Sequence, residues 1–162
     1  MIVVKPPTSI YPYHQVGDKN GPLVFLSGSI EMGKAIDWQA KVAEGLKDEK
    51  VVLLNPRRDD WDSSWKQSLD CEPFVDQVNW ELNGLEKSDL IAVHLEPDSV
   101  SPVTLLEIGL YARHNKYENK MIIHCPPGYF RKGNIDVLCQ RYQIDQADTF
   151  NNFIELIRDR IK

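Results

Sequence analysis

The segment SPVTLLEIGLYA, residues 101–112, sets one carboxylate inside an apolar run. Ser101-Pro102 reads as a helix N-cap followed by proline at the first helical position, which places Glu107 in the second turn. Its i−4, i+3 and i+4 neighbours are Val103, Leu110 and Tyr111, so the face it shares is apolar. An unpaired carboxylate in such a place is costly. Two readings stand: a surface glutamate on an amphipathic helix, or a carboxylate kept there for chemistry. Glu81, in NWELNGLEKSDL, is a second acid with partly apolar helical neighbours, Val78 and Leu85. Its pattern alone favours a solvated helix face.

Two further groups of residues have types suited to holding a ligand. The turn SGSIEMG, residues 27–33, offers backbone N–H groups at Gly28 and Gly33, where close approach is possible, and hydroxyls at Ser27 and Ser29. It is neither a P-loop nor a G-x-G-x-x-G turn. It reads equally as a plain strand-to-helix turn, and Glu31 within it would repel a phosphate. The loop NPRRDDWDSSW, residues 55–65, gathers Asp59, Asp60, Asp62, Trp61 and Trp65. Tryptophan stacks on planar heterocycles and aspartate accepts their N–H groups. A solvated loop with its tryptophans packed on the body is the alternative. His94/Glu96 and His124/Cys125 match no common ligand spacing, so no metal site is expected.

Strands alternating with helices must position these residues. LVFLSGS, VVLLNP, DLIAVHL and KMIIHCPP read as buried strands, and YQI as a fifth. DWQAKVAEGLKDE, PFVDQVNWELNGLEK, PVTLLEIGLYARHNK, a short segment after GYFRKG and DTFNNFIELIRDRIK read as helices, the last with Phe150, Phe153, Ile154, Ile157 and Ile161 on one face. Such alternation implies a parallel sheet covered on both faces. The expected fold is α/β: a flavodoxin-like, doubly wound, five-stranded parallel sheet of order 2-1-3-4-5. Ligands bind such sheets beyond the strands' carboxyl ends, at the switch between the first and third strands. SGSIEMG and EPDSVSP, residues 96–102, fall there, and the second leads directly into the helix of Glu107. Residues 1–22, with four prolines and GDKNGP, read as an extended lead-in, and 23–162 as one α/β domain.

Composition bounds the partners. A chain of 162 residues with 42% hydrophobic and 27% charged content suits one globular core. The formal net charge of −5 disfavours a nucleic-acid polymer or an anionic membrane as partner. Three cysteines without a C-x-x-C pair suit reduced thiols, and no run reaches spanning length; a soluble, cytoplasmic protein is expected.

FLSGSIEMG, ELNGLEKSDLI and SPVTLLEIGLYA, in this order and at these places in the fold, resemble the nucleoside 2-deoxyribosyltransferases and their relatives, the 2'-deoxynucleoside 5'-phosphate N-hydrolases. The resemblance runs from about Leu23 to Ile144. It implies the same flavodoxin-like fold, a homo-oligomer of two or more chains, nucleoside and free nucleobase as substrates, and no metal or organic cofactor. It implies a nucleophilic role for Glu107, in EIG, and a role in contacting and protonating the base for Glu81, in ELNG. Asn134, in KGNI, is the nearest match to an asparagine that a neighbouring subunit contributes to the sugar site. Phe25, Ser27, Gly28, Ser29, Asp60, Trp61, Asp62 and Ser101 complete the expected substrate site. The sequence departs from the pattern at three places. Ser101 stands where the transferases often have an aspartate, as in the nucleotide hydrolases. Glu31 stands where those hydrolases carry a phosphate-binding arginine, and this charge reversal outweighs the serine. Phe25 replaces a tyrosine. The expected reaction is therefore transfer of a (2-deoxy)ribosyl group between bases, with N-glycosidic hydrolysis of nucleosides or their 5'-monophosphates as the alternative. A non-catalytic nucleotide-binding module on the same fold is a further alternative.

Overall fold

The computed structural model describes residues 1–13, 20–30 and 36–162. Its centre is a run of apolar strands: β2 (Leu23–Gly28), β3 (Val52–Leu54), β4 (Leu90–His94) and β5 (Met121–His124) are buried almost throughout. Strands apolar on both faces need cover on both faces, which parallel crossover helices supply. All pairings are parallel. Helices α2 (Glu72–Lys87), α3 (Pro102–Glu118) and α4 (Lys132–Tyr142) pack on the face bearing Phe25, Leu54, Ile91 and Ile123. Helices α1 (Trp38–Gly45) and α5 (Phe150–Arg160) cover the face bearing Val24, Leu53, Ala92 and Ile122. Asp37 and Thr149 cap α1 and α5 through side-chain bonds to Ala40 and Asn152 N–H.

The sheet corrects the expected strand count and order. It has six strands in the order β1-β3-β2-β4-β5-β6, not five in the order 2-1-3-4-5. The additional strand, β1 (Ile2–Val4), lies in the expected lead-in and pairs with β3 through Ile2–Val52, Val3–Leu53 and Val4–Leu54. Three β-branched residues ahead of a proline pair are too short to announce themselves by periodicity, but an open edge at β3 accepts them. The same lead-in buries Ile10, and its Thr8 carbonyl accepts from Trp80 Nε1–H at 2.8 Å. The last strand, β6 (Asp145–Ala147), begins after YQI, because Gln143 closes α4 in the left-handed conformation at φ 56°.

Register sets the strand ends that matter. Ser27 pairs with Val93 and Gly28 with His94, so β2 and β4 finish level with each other. Beyond Gly28 the backbones crowd: a Cβ there would lie 2.1 Å from the His94 carbonyl oxygen. Gly84 in α2 similarly meets the Phe25 ring, where a Cβ would sit 2.7 Å away. Only glycine lets α2 close onto β2 at this point, one helical turn from Glu81.

Candidate functional site

The strand ends and helix starts described above meet at the switch between β2 and its two neighbours. Ser27, the last inward-facing residue of β2, donates from Oγ to Glu107 Oε2 at 2.6 Å. Glu107 is buried, 8% exposed, on the second turn of α3. Burial pushes its carboxyl up to about 7, with the Ser27 hydroxyl pulling the other way and the nearby Glu81 adding to the rise. Glu81 is half-buried on α2, and burial likewise pushes it up to about 7, opposed by the Gln77 amide. Gln77 Nε2 donates to Glu81 Oε1 at 2.8 Å and to the Pro56 carbonyl at 3.1 Å. Two interacting carboxyls that both titrate near neutrality behave as one unit, in which a proton on one favours the charge on the other.

Three hydroxyls close a ring next to this pair. Ser29 Oγ lies 2.6 Å from Ser99 Oγ and 2.7 Å from Ser101 Oγ, and Ser99 and Ser101 are 2.8 Å apart. The Glu96 backbone N–H donates to Ser29 Oγ at 3.0 Å, and Ser99 Oγ donates to the Glu96 carbonyl. Ser101 occupies the N-cap position expected of it, since its carbonyl accepts from Leu105 N–H, but its hydroxyl does not cap the helix. It adopts φ 45° and turns its hydroxyl into the ring. The ring ties the β2 turn to the start of α3, so the position of Glu107 depends on both.

On the opposite face of β4, His94 Nδ1 and His124 Nδ1 lie 2.8 Å apart, and His94 Nε2 lies 2.9 Å from Glu96 Oε1. With Glu96 ionised, His94 donates from Nε2 and accepts at Nδ1 from His124 Nδ1–H; this tautomer follows from the network. Desolvation holds both imidazoles neutral: it lowers His94, and it lowers His124 to about 4, with the neighbouring His94 adding to the drop. Trp38 and Phe150 pack edge-on to His94, and Trp38 Nε1–H donates to the Ser29 carbonyl at 3.0 Å. The pair therefore braces the strand ends from behind the serine ring.

The structure brings together Glu107, Glu81, Ser27, Ser29 and Ser101, with Gly28 allowing the close approach. The other expected residues bond outside this group. Phe25 has no exposed surface and packs under Gly84 and against Trp80, as core. Asp60 is held by Arg58 at 2.6 and 3.2 Å, and Asp62 accepts from the Ser64 N–H; these bonds hold both carboxyls below their usual range, and both face solvent. Trp61 stacks edge-on against Trp65, and its Nε1–H is buried with no acceptor among the described residues. Asn134 is exposed in the first turn of α4. Glu31 and Gly33 lie outside the described residues. Sequence reasoning missed Gln77, Ser99, Glu96 and the imidazole pair as parts of the site. The signals available were the loop EPDSVSP, which carries Glu96 and Ser99 to the strand ends, and His94 and Glu96 two residues apart, weighed only as metal ligands. Among the described residues no cluster of three or more His, Cys, Asp or Glu side chains could hold a metal ion.

A family model described as "Nucleoside 2-deoxyribosyltransferase like" matches residues 21–129, the span that contains the serine ring and both carboxylates. No curated protein matches the chain. Among solved structures, a crystal structure of a conserved protein from Enterococcus faecalis V583 is similar, with a TM-score of 0.59 at 12% identity; the match covers 86% of this chain and 99% of that one. At that identity the likeness speaks for the fold.

Proposed function

The chain belongs to the nucleoside 2-deoxyribosyltransferase-like family, and on that premise we propose that it transfers the (2-deoxy)ribosyl group of a nucleoside from one nucleobase to another. The observation that carries this reading is Glu107 itself: a buried carboxylate at the carboxyl end of the sheet, fixed by the Ser27 hydroxyl at 2.6 Å, with a second raised carboxyl as neighbour. A contact of that length suits a hydroxyl donating to an ionised oxygen, so Glu107 is the nucleophile and Glu81 the proton carrier. Glu107 attacks C1' as the bond to the base nitrogen breaks, and Glu81 gives its proton to the departing base. The resulting glycosyl ester is then attacked at C1' by a ring nitrogen of the second base, whose proton goes to Glu81, and Glu107 is released as a carboxylate. These steps retain configuration and balance without a cofactor. Asp60 and Asp62 are poorer proton carriers than Glu81, because Arg58 and the Ser64 N–H favour their charged forms.

The test is incubation with a 2'-deoxynucleoside, with and without a second free base, following both bases by chromatography. New nucleoside is expected, and Glu107→Gln should abolish it; base exchange retained in that variant sinks the assignment. Release of free base alone would make the protein a hydrolase, and binding without release would make it a binding module. The hydrolytic reading has one observation in its favour, the Ser29–Ser99–Ser101 ring at the start of α3. It predicts release of base from a 5'-monophosphate without an acceptor. Assembly as a homo-oligomer belongs to the same proposal. It is supported by the apolar stripe that α3 exposes through Val103, Leu106, Leu110 and Tyr117.

A further inference from the structure

A second cleft opens away from the carboxylates. Arg113 and Tyr117 of α3 and Arg141 and Tyr142 of α4 line a space of about 550 Å³ between the ends of the two helices. Arg113, Tyr117 and Arg141 are exposed, Tyr117 at 82%, so a solute can reach them. Tyr117 lies about 15 Å along α3 from Glu107, which separates this cleft from the site of the carboxylates. Its walls are fixed. Asn115 is buried, and its Nδ2 donates to the Gln143 carbonyl at 2.9 Å and to the Tyr142 carbonyl at 3.4 Å. Its Oδ1 accepts from the Met121 N–H at 2.7 Å. These bonds tie the end of α4 to α3, and Tyr142 packs against the core.

The cleft is basic in an acidic chain. The formal net charge is −5, yet no carboxylate lines it. Neither guanidinium pairs with a carboxylate among the described residues: Arg141 lies 5.9 Å from the centre of the Tyr142 ring, and the nearby Glu118 faces His114 at 3.7 Å. Arg141, in the last turn of α4, offsets the helix dipole. Arg113 stands before the last turn of α3, where that effect has faded. A single exposed arginine needs no partner. Two in one cleft, with two phenol rings and no acid, make a combination with a definite chemistry. Guanidinium groups hold phosphate oxygens in pairs of hydrogen bonds, and tyrosine stacks on planar heterocycles. Ligand clefts run to roughly 300–1,000 Å³, and this one has more room than a lone phosphate fills. We infer that the cleft binds a nucleotide, with its phosphates on Arg113 and Arg141 and its base against Tyr117 and Tyr142.

The probe is ADP, titrated calorimetrically into Glu107→Gln protein so that no turnover intervenes, with adenosine and pyrophosphate titrated separately. ADP is expected to bind at least roughly ten-fold tighter than either of its halves, because base and phosphate contacts then act in one ligand. Arg113→Gln with Arg141→Gln should weaken ADP by roughly ten-fold or more, the scale of two charge-assisted bonds lost. Tyr117→Leu should weaken ADP by roughly ten-fold, the scale of one stacked base, and leave pyrophosphate unchanged. These three side chains are exposed, so the variants keep the fold. Undiminished ADP binding in the double arginine variant puts the nucleotide elsewhere and overturns the inference. Pyrophosphate binding as tightly as ADP, or ADP binding untouched by Tyr117→Leu, overturns the assignment to a nucleotide. Absence of binding at millimolar ADP overturns it as well, including the case in which a second copy of the chain fills the cleft. None of these outcomes depends on base transfer at Glu107.

Discussion

A buried carboxylate weakens the fold that buries it. Glu107 sits at about 7 in the folded chain against an ordinary 4.5, so the fold prefers its protonated form. That preference contributes fully below pH 4.5 and is lost as pH rises through 7. At pH 8 the ionised side chain costs about 3 kcal/mol as an upper bound. Glu107→Gln removes the charge and keeps an acceptor for Ser27, so it should raise Tm by a few degrees at pH 8 while turnover vanishes. At pH 5 the gain should shrink; a lower Tm than the parent at pH 8 would refute this account. Glu81 adds to the rise at Glu107, which gives a second expectation. In Glu81→Gln the residual activity should keep an acidic limb displaced to lower pH, read from kcat/KM between pH 5 and 8. An acidic limb that stays in place would mean the two carboxyls do not sense each other. Glu107 was legible in the sequence because apolar neighbours three and four residues away mark it out. Gln77 was not, because its meaning depends on a carbonyl 21 residues earlier in the chain, which no local pattern contains.

At the level of elements, the site is a matter of how three strand ends and two helix starts are pinned. The ring of Ser29, Ser99 and Ser101 fixes the β2 turn to the start of α3. The Glu96–His94–His124 chain fixes the end of β4 to β5 from the other face, its rings stacked at 4.8 Å. Between Nδ1 atoms 2.8 Å apart there is room for one proton. Protonating both rings would set two N–H groups against each other. The fold therefore favours neutral imidazoles, and this contribution is complete above pH 6.5 and lost as pH falls towards 4. Titration followed by NMR should find His124 with a midpoint near 4 and His94 also below 6.5. A midpoint at or above 6.5 for either ring would show that the pair is not held in this way. The strands themselves were legible, since LVFLS, LIAVH and MIIH are buried on both faces and read as unbroken apolar runs. The edge strand β1 was hidden by its length and its prolines, and the histidine pair by 30 residues of separation.

At the scale of the molecule, α3 carries apolar residues on more than its sheet-facing side. It buries Ile108 and Ala112 against the sheet, yet also exposes Val103, Leu106 and Leu110, at 58%, 64% and 50%, with Tyr117 further along the same face. A contiguous exposed apolar stripe often marks an interface, and a second copy of the chain would cover it through a two-fold contact. Sedimentation should then show a dimer that Leu106→Glu with Leu110→Glu converts to a monomer; a parent chain that is already monomeric removes this reading. Under the function proposed, such a contact would bear on the chemistry through Asn134, which is exposed on α4, a helix that packs on α3. If Asn134 completes the sugar site of the neighbouring copy, Glu107→Gln and Asn134→Ala chains are each inactive alone and complement each other when mixed and reassembled. Random pairing makes half the dimers mixed, and each mixed dimer holds one site with both residues intact, so about a quarter of the parent activity should return. If Asn134 serves its own chain, no mixed dimer contains an intact site beyond those of the single variants, and no activity returns.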